Sequence, residues 1–380
     1  METEKNNEPI KVLAVVCQLN RGGLESRLMD ILRNIDYSKV CVDIFTYRMQ
    51  PGLMDEEAKK LGSQIYYNKP LNIRNCIGYV RYFERFLKEH PEYKIVHAHQ
   101  DAWCSVFCKG AYLANVPVRI AHSRTALINN SLENVIKNII KLPTRKYANY
   151  YFAVSDKAGI WLFGKRKYKD GKVQVWPNAI DCRKYRYSKK TRNEVRKQLG
   201  VEDNFVLMHV GNFFAPKNHS FLIRVFEKYY KEHPKSKLIL IGGQGPEKEI
   251  LDGVKKQVQE KGLNDAVVFL GVRNDVSRLL QAADVFVFPS IFEGLPGAVV
   301  EAQAAGLPCV ISDKITSEVV LLPTTKQIPI ENTETWCKEI DRAKAVQHCD
   351  SYEIMKQKGF DIKSLCEDLE KFYSQFASNI

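Results

Sequence analysis

Short apolar runs alternate with longer amphipathic stretches along almost the whole chain, and the alternation starts twice. In the first half the apolar runs are Lys11–Leu19, Val40–Tyr47, Ile95–His99, Val118–Ser123 and Tyr150–Ser155. Between them lie helical patterns such as Gly23–Ile35 and Ile77–His90. A polar, basic stretch, Cys182–Asn204, interrupts the rhythm. It then resumes with Phe205–Gly211, Lys237–Gly243, Ala266–Gly271, Val285–Ser290 and Pro308–Asp313. Strands that alternate with helices form βαβ units around a parallel sheet. The pattern therefore predicts an α/β chain with two doubly wound domains facing a central cleft. Ligands are expected at the carboxyl ends of the strands. The expected divisions are residues 1–182, a linker at 183–204, a second domain at 205–355, and residues 356–380 as a final helix returning to the first domain.

Bulk properties limit the function classes. The chain has 380 residues and 45% hydrophobic content, enough for two ordinary cores. No apolar run nears the roughly 18 residues of a membrane span. The opening METEKNNEP is acidic and polar, unlike a secretory signal. The ten cysteines show no CxxC pair and no zinc-like spacing, which suits buried free thiols in a reducing compartment. A cytoplasmic protein is expected. The charge is uneven: residues 1–187 hold 31 lysines and arginines against 18 acids, and the rest holds 26 of each. A basic first half points to an anionic partner. No nucleic-acid-binding module is recognisable among the strands, so nucleic acid is not the expected partner.

The loops that follow strands carry the candidate chemistry. In NRGGLES, Gly22 and Gly23 would let a ligand approach the backbone at a helix start. His97 and His99 are expected on opposite sides of their strand, and His122 closes another strand where an imidazole could donate to a sugar hydroxyl or a developing negative charge. Lys217 lies between a strand and a helix, a natural place for a phosphate partner. The segment FEGLPGAVVEA sets Glu293 and Glu301 around Gly-Leu-Pro-Gly. Amides of Gly294 and Leu295 at that helix start would attract an anion, and Pro296 is expected at or near the first helical position.

Together these segments resemble glycosyltransferase family 4. LNRGGLE, VHAH, AHSRT, FAVSD, PNAID, PKNH, GGQGP, FLGVRNDV and the E-x7-E segment occur in that family's order, across nearly the whole chain. The resemblance implies the GT-B fold and retaining transfer from a nucleotide sugar, as in bacterial capsule and exopolysaccharide assembly. It implies that Glu293 binds donor-sugar hydroxyls and Glu301 the ribose. Gly294 and Leu295 would hold the diphosphate or sugar, with Lys217 neutralising it and Gly22–Gly23 closing over it. Val272 and Arg273 fall beside the base, and His122 near the reacting sugar, so His122, Glu293 and Lys217 are the expected catalytic set. The family usually has arginine where this chain has Asn212, which removes one of two cations expected on the diphosphate. Neither a metal nor another cofactor is expected, and UDP is the expected nucleotide.

The resemblance also suggests a carbohydrate or lipid-diphosphate-linked acceptor. A basic amphipathic helix at 131–147, with Lys137, Lys141, Arg145 and Lys146 beside Val135, Ile139, Ile140 and Leu142, would then rest on the anionic inner face of the cell membrane. Two rivals share the architecture: a sugar-nucleotide 2-epimerase, and a donor-binding subunit that has lost activity.

Overall fold

The computed structural model describes residues 8–20, 23–124, 132–245 and 247–376. Two compact units emerge. One comprises Met1–Ile180 with Gly359–Ile380, and the other is Asp181–Lys358.

The first unit is built on seven parallel strands: β1 (Ile10–Val16), β2 (Val40–Thr46), β3 (Ile65–Tyr67), β4 (Ile95–Ala98), β5 (Val118–Ser123), β6 (Tyr150–Ala153) and β7 (Val173–Val175). Their order is β3-β2-β1-β4-β5-β6-β7. Every residue from Val12 to Val16 is buried, which explains why β1 reads as a continuous apolar run: helices cover both faces of its sheet. Alternation sends Leu13 and Val15 into one core with Phe45 and Phe107, and Val12, Ala14 and Val16 into the other with Leu28 and Leu32. The second core also receives Ile362, Leu365, Leu369, Phe372 and Tyr373 of the C-terminal helix Ile362–Ser374. That helix belongs to the first unit.

The second unit holds six parallel strands: β8 (Phe205–Val210), β9 (Ser236–Ile241), β10 (Val267–Gly271), β11 (Val285–Phe288), β12 (Cys309–Ser312) and β13 (Thr325–Ile328). Their order is β10-β9-β8-β11-β12-β13. In both units the order reverses once, between β1 and β4 and between β8 and β11. Loops diverge at such a reversal and leave a crevice at the strand ends.

The segment expected to be a linker is folded. Residues 183–204 belong to the second unit and contain the helix Lys189–Leu199, capped by the Ser188 side chain and closed by left-handed Gly200. Its basic residues face inward as well as out. Arg192 and Arg196 both bind the Asp284 carboxylate, and Arg196 also reaches the carbonyls of Ala282 and Glu202. A charge-rich stretch that resembles a solvated connector is held by a partly buried acid. The unit boundary falls after Lys358, three residues beyond the expected 355.

Candidate active site

The reversal between β8 and β11 brings two loops of the second unit together, Gly211–Asn218 after β8 and Pro289–Pro296 after β11. Lys217 occupies the turn that ends the first. Pro216 precedes it, and Asn218 follows in the left-handed region at φ 55°, a conformation asparagine tolerates better than most residues. The chain thereby turns into the His219–Glu232 helix with the Lys217 Nζ over the Phe288 ring, 4.8 Å from its centroid. The Lys217 Nζ reaches Glu293 Oε1 at 2.5 Å, with side chains 13% and 17% exposed.

Glu293 is held from a second side. The Ser290 hydroxyl lies 2.9 Å from Glu293 Oε1 and 2.9 Å from the Pro216 carbonyl. The Ile291 amide donates to that same carbonyl at 2.8 Å, and Asn218 Nδ2 donates to the Pro289 carbonyl at 3.3 Å. These cross-links tie the two loops into one body. Ser290 carries no sequence motif of its own; the signal available was its place three residues before Glu293, at the end of a strand.

Beyond Glu293 the backbone opens. Gly294 is exposed, and a Cβ built there would meet nothing within 4 Å. The helix spans Gly297–Ala304, with Pro296 as the residue before it rather than its first member. Among the described residues, the amides of Gly294, Leu295, Gly297 and Ala298 donate to no backbone carbonyl outside the helix. No side chain caps this helix, so its start presents bare N–H groups beside an exposed glycine, a ready anion site. Glu301 lies half-buried within the same helix.

On the other side of β8, Asn212 is exposed and accepts the Gly243 N–H through Oδ1 at 3.0 Å. It serves the glycine turn after β9. Gly242 in that turn sits at φ 155°, and an added Cβ would stand 2.1 Å from the Gly211 carbonyl oxygen, so the two backbones touch. Gly243 packs similarly against the exposed Val272. Arg273 forms a two-pronged pair with Asp275, at 2.8 and 2.7 Å, which occupies the guanidinium expected near the base. Thus Lys217, Asn212, Val272, Arg273, Glu293, Gly294, Leu295 and Glu301 all belong to the second unit, on strand-end loops or the helix that follows. Gly22 lies outside the described residues; Gly23 opens the Gly23–Asn34 helix of the first unit.

His122 is part of a buried cluster in the first unit. His97 and His99 share one face, with ring centroids 3.9 Å apart, contrary to the expectation of opposite sides. Side chains two apart on a strand point the same way. His97 Nε2 lies 3.1 Å from His122 Nδ1, and Arg124 Nη2 lies 3.1 Å from His99 Nδ1. Burial pushes all three imidazoles well below their ordinary pKa, with Arg124 adding to the effect. Nitrogens of the three rings fall within 4.8 Å of one another. A metal would have to displace the His97–His122 hydrogen bond and sit beside the Arg124 cation. The cluster therefore suits neutral hydrogen-bonded imidazoles better than a dication.

The basic amphipathic segment departs from a single helix. It forms Leu132–Ile140 and Thr144–Tyr147, separated by a turn at Pro143, which cannot continue a helix; Ser131 lies outside the described residues. Val135, Ile139 and Leu142 are exposed. Lys141 points inward instead, 2.7 Å from Asn138 Oδ1 and 4.2 Å from the Trp161 ring centroid, and burial lowers its pKa to about 8. Among the described residues no helix is long and apolar enough to cross a membrane.

The chain is similar to known proteins along most of its length. Residues 191–359 match the family model described as Glycosyl transferases group 1, and residues 21–184 match Glycosyltransferase Family 4. The chain is 33% identical over 346 residues to the putative glycosyltransferase EpsF of Bacillus subtilis (strain 168), covering 90% of this chain and 89% of that one. It is 26% identical to the capsular polysaccharide biosynthesis glycosyltransferase CapH of Staphylococcus aureus, covering 96% and 98%. It is 30% identical over 240 residues to an Escherichia coli UDP-Gal:alpha-D-GlcNAc-diphosphoundecaprenol alpha-1,3-galactosyltransferase, covering 60% and 59%. The fold superposes on Anabaena HepE, solved with UDP and glucose, with a TM-score of 0.74 at 20% identity over 96% and 99% of the two chains. The two parallel-sheet units, the matched models and the near full-length likeness to EpsF place this chain in the group 1 and family 4 glycosyltransferases, enzymes of GT-B architecture.

Proposed function

We propose that the protein is a retaining transferase of bacterial cell-surface polysaccharide assembly. It moves a hexose or N-acetylhexosamine from a UDP-linked donor to a lipid-diphosphate-linked or oligosaccharide acceptor. The observation that carries this reading is the join at β8 and β11, where a lysine, a carboxylate and a bare helix start converge within two cross-linked loops. Each has a separate task. The Lys217 ammonium and the amides at Gly294 and Leu295 face the diphosphate, whose charge grows as the glycosyl bond breaks. Glu293 accepts hydrogen bonds from sugar hydroxyls, and Glu301 from the ribose. The acceptor hydroxyl attacks the face the nucleotide leaves, and its proton passes to the departing phosphate oxygen. His122 is assigned the role of hydrogen-bond donor to the reacting sugar. Exposed Val135, Ile139 and Leu142 beside Lys146 supply a surface for anionic lipid, where such an acceptor resides.

A screen of nucleotide release against a panel of sugar nucleotides, with and without candidate acceptors, tests the reading. Acceptor-dependent release from one donor is expected. Conversion of the donor to its epimer without acceptor would instead assign the rival 2-epimerase chemistry. Vesicle co-sedimentation should rise with anionic lipid content; an insensitive result would sink the membrane assignment.

A further inference from the structure

The three buried histidines of the first unit are linked to the C-terminal helix by one hydrogen bond. The Tyr373 hydroxyl lies 2.8 Å from His97 Nδ1, and His97 Nε2 lies 3.1 Å from His122 Nδ1. The far nitrogen of His122, Nε2, is buried without a partner among the described residues. His122 lines a cavity of about 20 Å³ with Arg27, Arg124 and Asn178. That space holds about one water.

The chain Tyr373–His97–His122 can run in two directions, because a neutral imidazole donates at one nitrogen and accepts at the other. If Tyr373 accepts, its own O–H is left buried with no acceptor, since His97 is its one hydrogen-bond partner among the described residues. Tyr373 is not among the residues lining the cavity, so no water there relieves it. If Tyr373 donates, only a spare lone pair goes unused, and an orphaned donor is the costlier defect. A water in the cavity that His122 lines would serve either form of Nε2, because water both donates and accepts. The direction is therefore decided at the tyrosine end.

We infer that Tyr373 is a positioning residue which, through His97, sets His122 in the tautomer with its proton on Nε2, so that His122 presents a fixed N–H donor to the cavity. Tyr373 donates to His97 Nδ1, His97 carries its proton on Nε2 and donates to His122 Nδ1, and His122 keeps its proton on the outer nitrogen. His99 stands apart from this chain: its Nδ1 accepts from Arg124, which can only donate. A hydrogen-bond donor at Nε2 suits a hydroxyl or oxyanion acceptor and cannot serve as a general base. The catalytic meaning rests on the proposed placement of His122 near the reacting sugar, whereas the tautomer does not.

Long-range proton–nitrogen NMR of the full chain, labelled with ¹⁵N-histidine, reads each tautomer directly. His97→Gln and His122→Gln variants assign the two signals. The expected wild-type result is protonation of both rings at Nε2. In Tyr373→Phe His97 Nδ1 loses its donor, so its unprotonated ¹⁵N signal should move toward that of a free imidazole nitrogen while the melting temperature stays within a few degrees. A wild-type His122 protonated at Nδ1, or a His97 Nδ1 signal that does not move in Tyr373→Phe, overturns the inference. Because no donor is present, this outcome is independent of whether the transferase reading holds. In nucleotide release, Tyr373→Phe should lower kcat about tenfold with KM little changed; an unaltered kcat would remove Tyr373 from the catalytic apparatus.

Discussion

Replacing Glu293 by glutamine should tighten nucleoside diphosphate binding while it abolishes transfer, and the opposite signs make the test sharp. In the resting protein the Lys217 ammonium is paired at 2.5 Å with Glu293. At an effective dielectric of about 20 the bare attraction at that distance is ~6–7 kcal/mol. Withdrawing the two charges to 13% and 17% exposure consumes several kcal/mol of this, leaving a net coupling on the order of 1–3 kcal/mol. A diphosphate that engages the same Nζ must share it with the carboxylate. Glutamine keeps the shape and a carbonyl oxygen for Ser290, yet withdraws the competing charge. If half the coupling is recovered, UDP should bind roughly 3–10-fold more tightly, since about 1.4 kcal/mol is a factor of ten. Titration calorimetry with UDP on the wild type, Glu293→Gln and the double variant Lys217→Ala/Glu293→Gln measures this. The gain should vanish in the double variant. Transfer from the intact donor should fall at least about 100-fold in Glu293→Gln, because an amide accepts sugar hydroxyls less strongly than a carboxylate. UDP binding that is unchanged or weaker in Glu293→Gln would refute the idea that Lys217 is shared between Glu293 and phosphate.

Other perturbations test the frame around that pair. Lys217→Ala should lower kcat/KM by about 100-fold or more without loss of the folded state by circular dichroism, since the loops remain joined through Ser290 and Asn218. Gly242→Ala should cost about 2–4 kcal/mol in urea unfolding, because its Cβ would meet the Gly211 oxygen at 2.1 Å in a backbone that disfavours any side chain. Stability should fall on acidification below about pH 6.5: His97, His99 and His122 are neutral when folded, with pKa values held well below 6.5 by burial, so the unfolded state takes up the protons. Above pH 6.5 this stability is present in full; below it each group removes at most ~1.4 kcal/mol per pH unit until the pH reaches its folded value. Deleting residues 359–380 should leave the first unit insoluble on expression, because six core side chains of the terminal helix go with it, the larger ones each worth roughly 1.5–3 kcal/mol.

Legibility in the sequence followed burial. Strands covered on both faces, such as β1 and β8, are continuous apolar runs and can be read directly. The strands β3, β7 and β13 escaped notice because they are three or four residues long at or next to a sheet edge, and β13 is Thr-Lys-Gln-Ile, with only its end residues buried. The Lys189–Leu199 helix was hidden by its charge: arginines that look solvated from composition share one aspartate eighty-eight or more residues away. The histidines of β4 failed differently, through a spacing of two that places rings together rather than apart. Motif order revealed Lys217 and Glu293 individually, but not their contact, which exists only because the strand order reverses between β8 and β11.

That reversal also gives Asn212 its meaning. An arginine there would have brought a second cation to the diphosphate, and the loss invites a search for a substitute. Arg273, a candidate on the loop after β10, is already bound in two places by Asp275. Asn212 spends its carbonyl oxygen on Gly243 and keeps only a neutral amide to offer. Under the proposed function, the charge of the leaving group would thus fall on Lys217 and on backbone dipoles at Gly294, Leu295 and the Gly297–Ala304 helix. Backbone amides cannot be drawn off by a competing acid, whereas Lys217 is held by Glu293 until a ligand arrives. If the proposed function holds, a site with one mobile cation gains selectivity from this arrangement. Glu293 would release the lysine most readily when its carboxylate finds other donors, such as the hydroxyls of a sugar attached to the diphosphate.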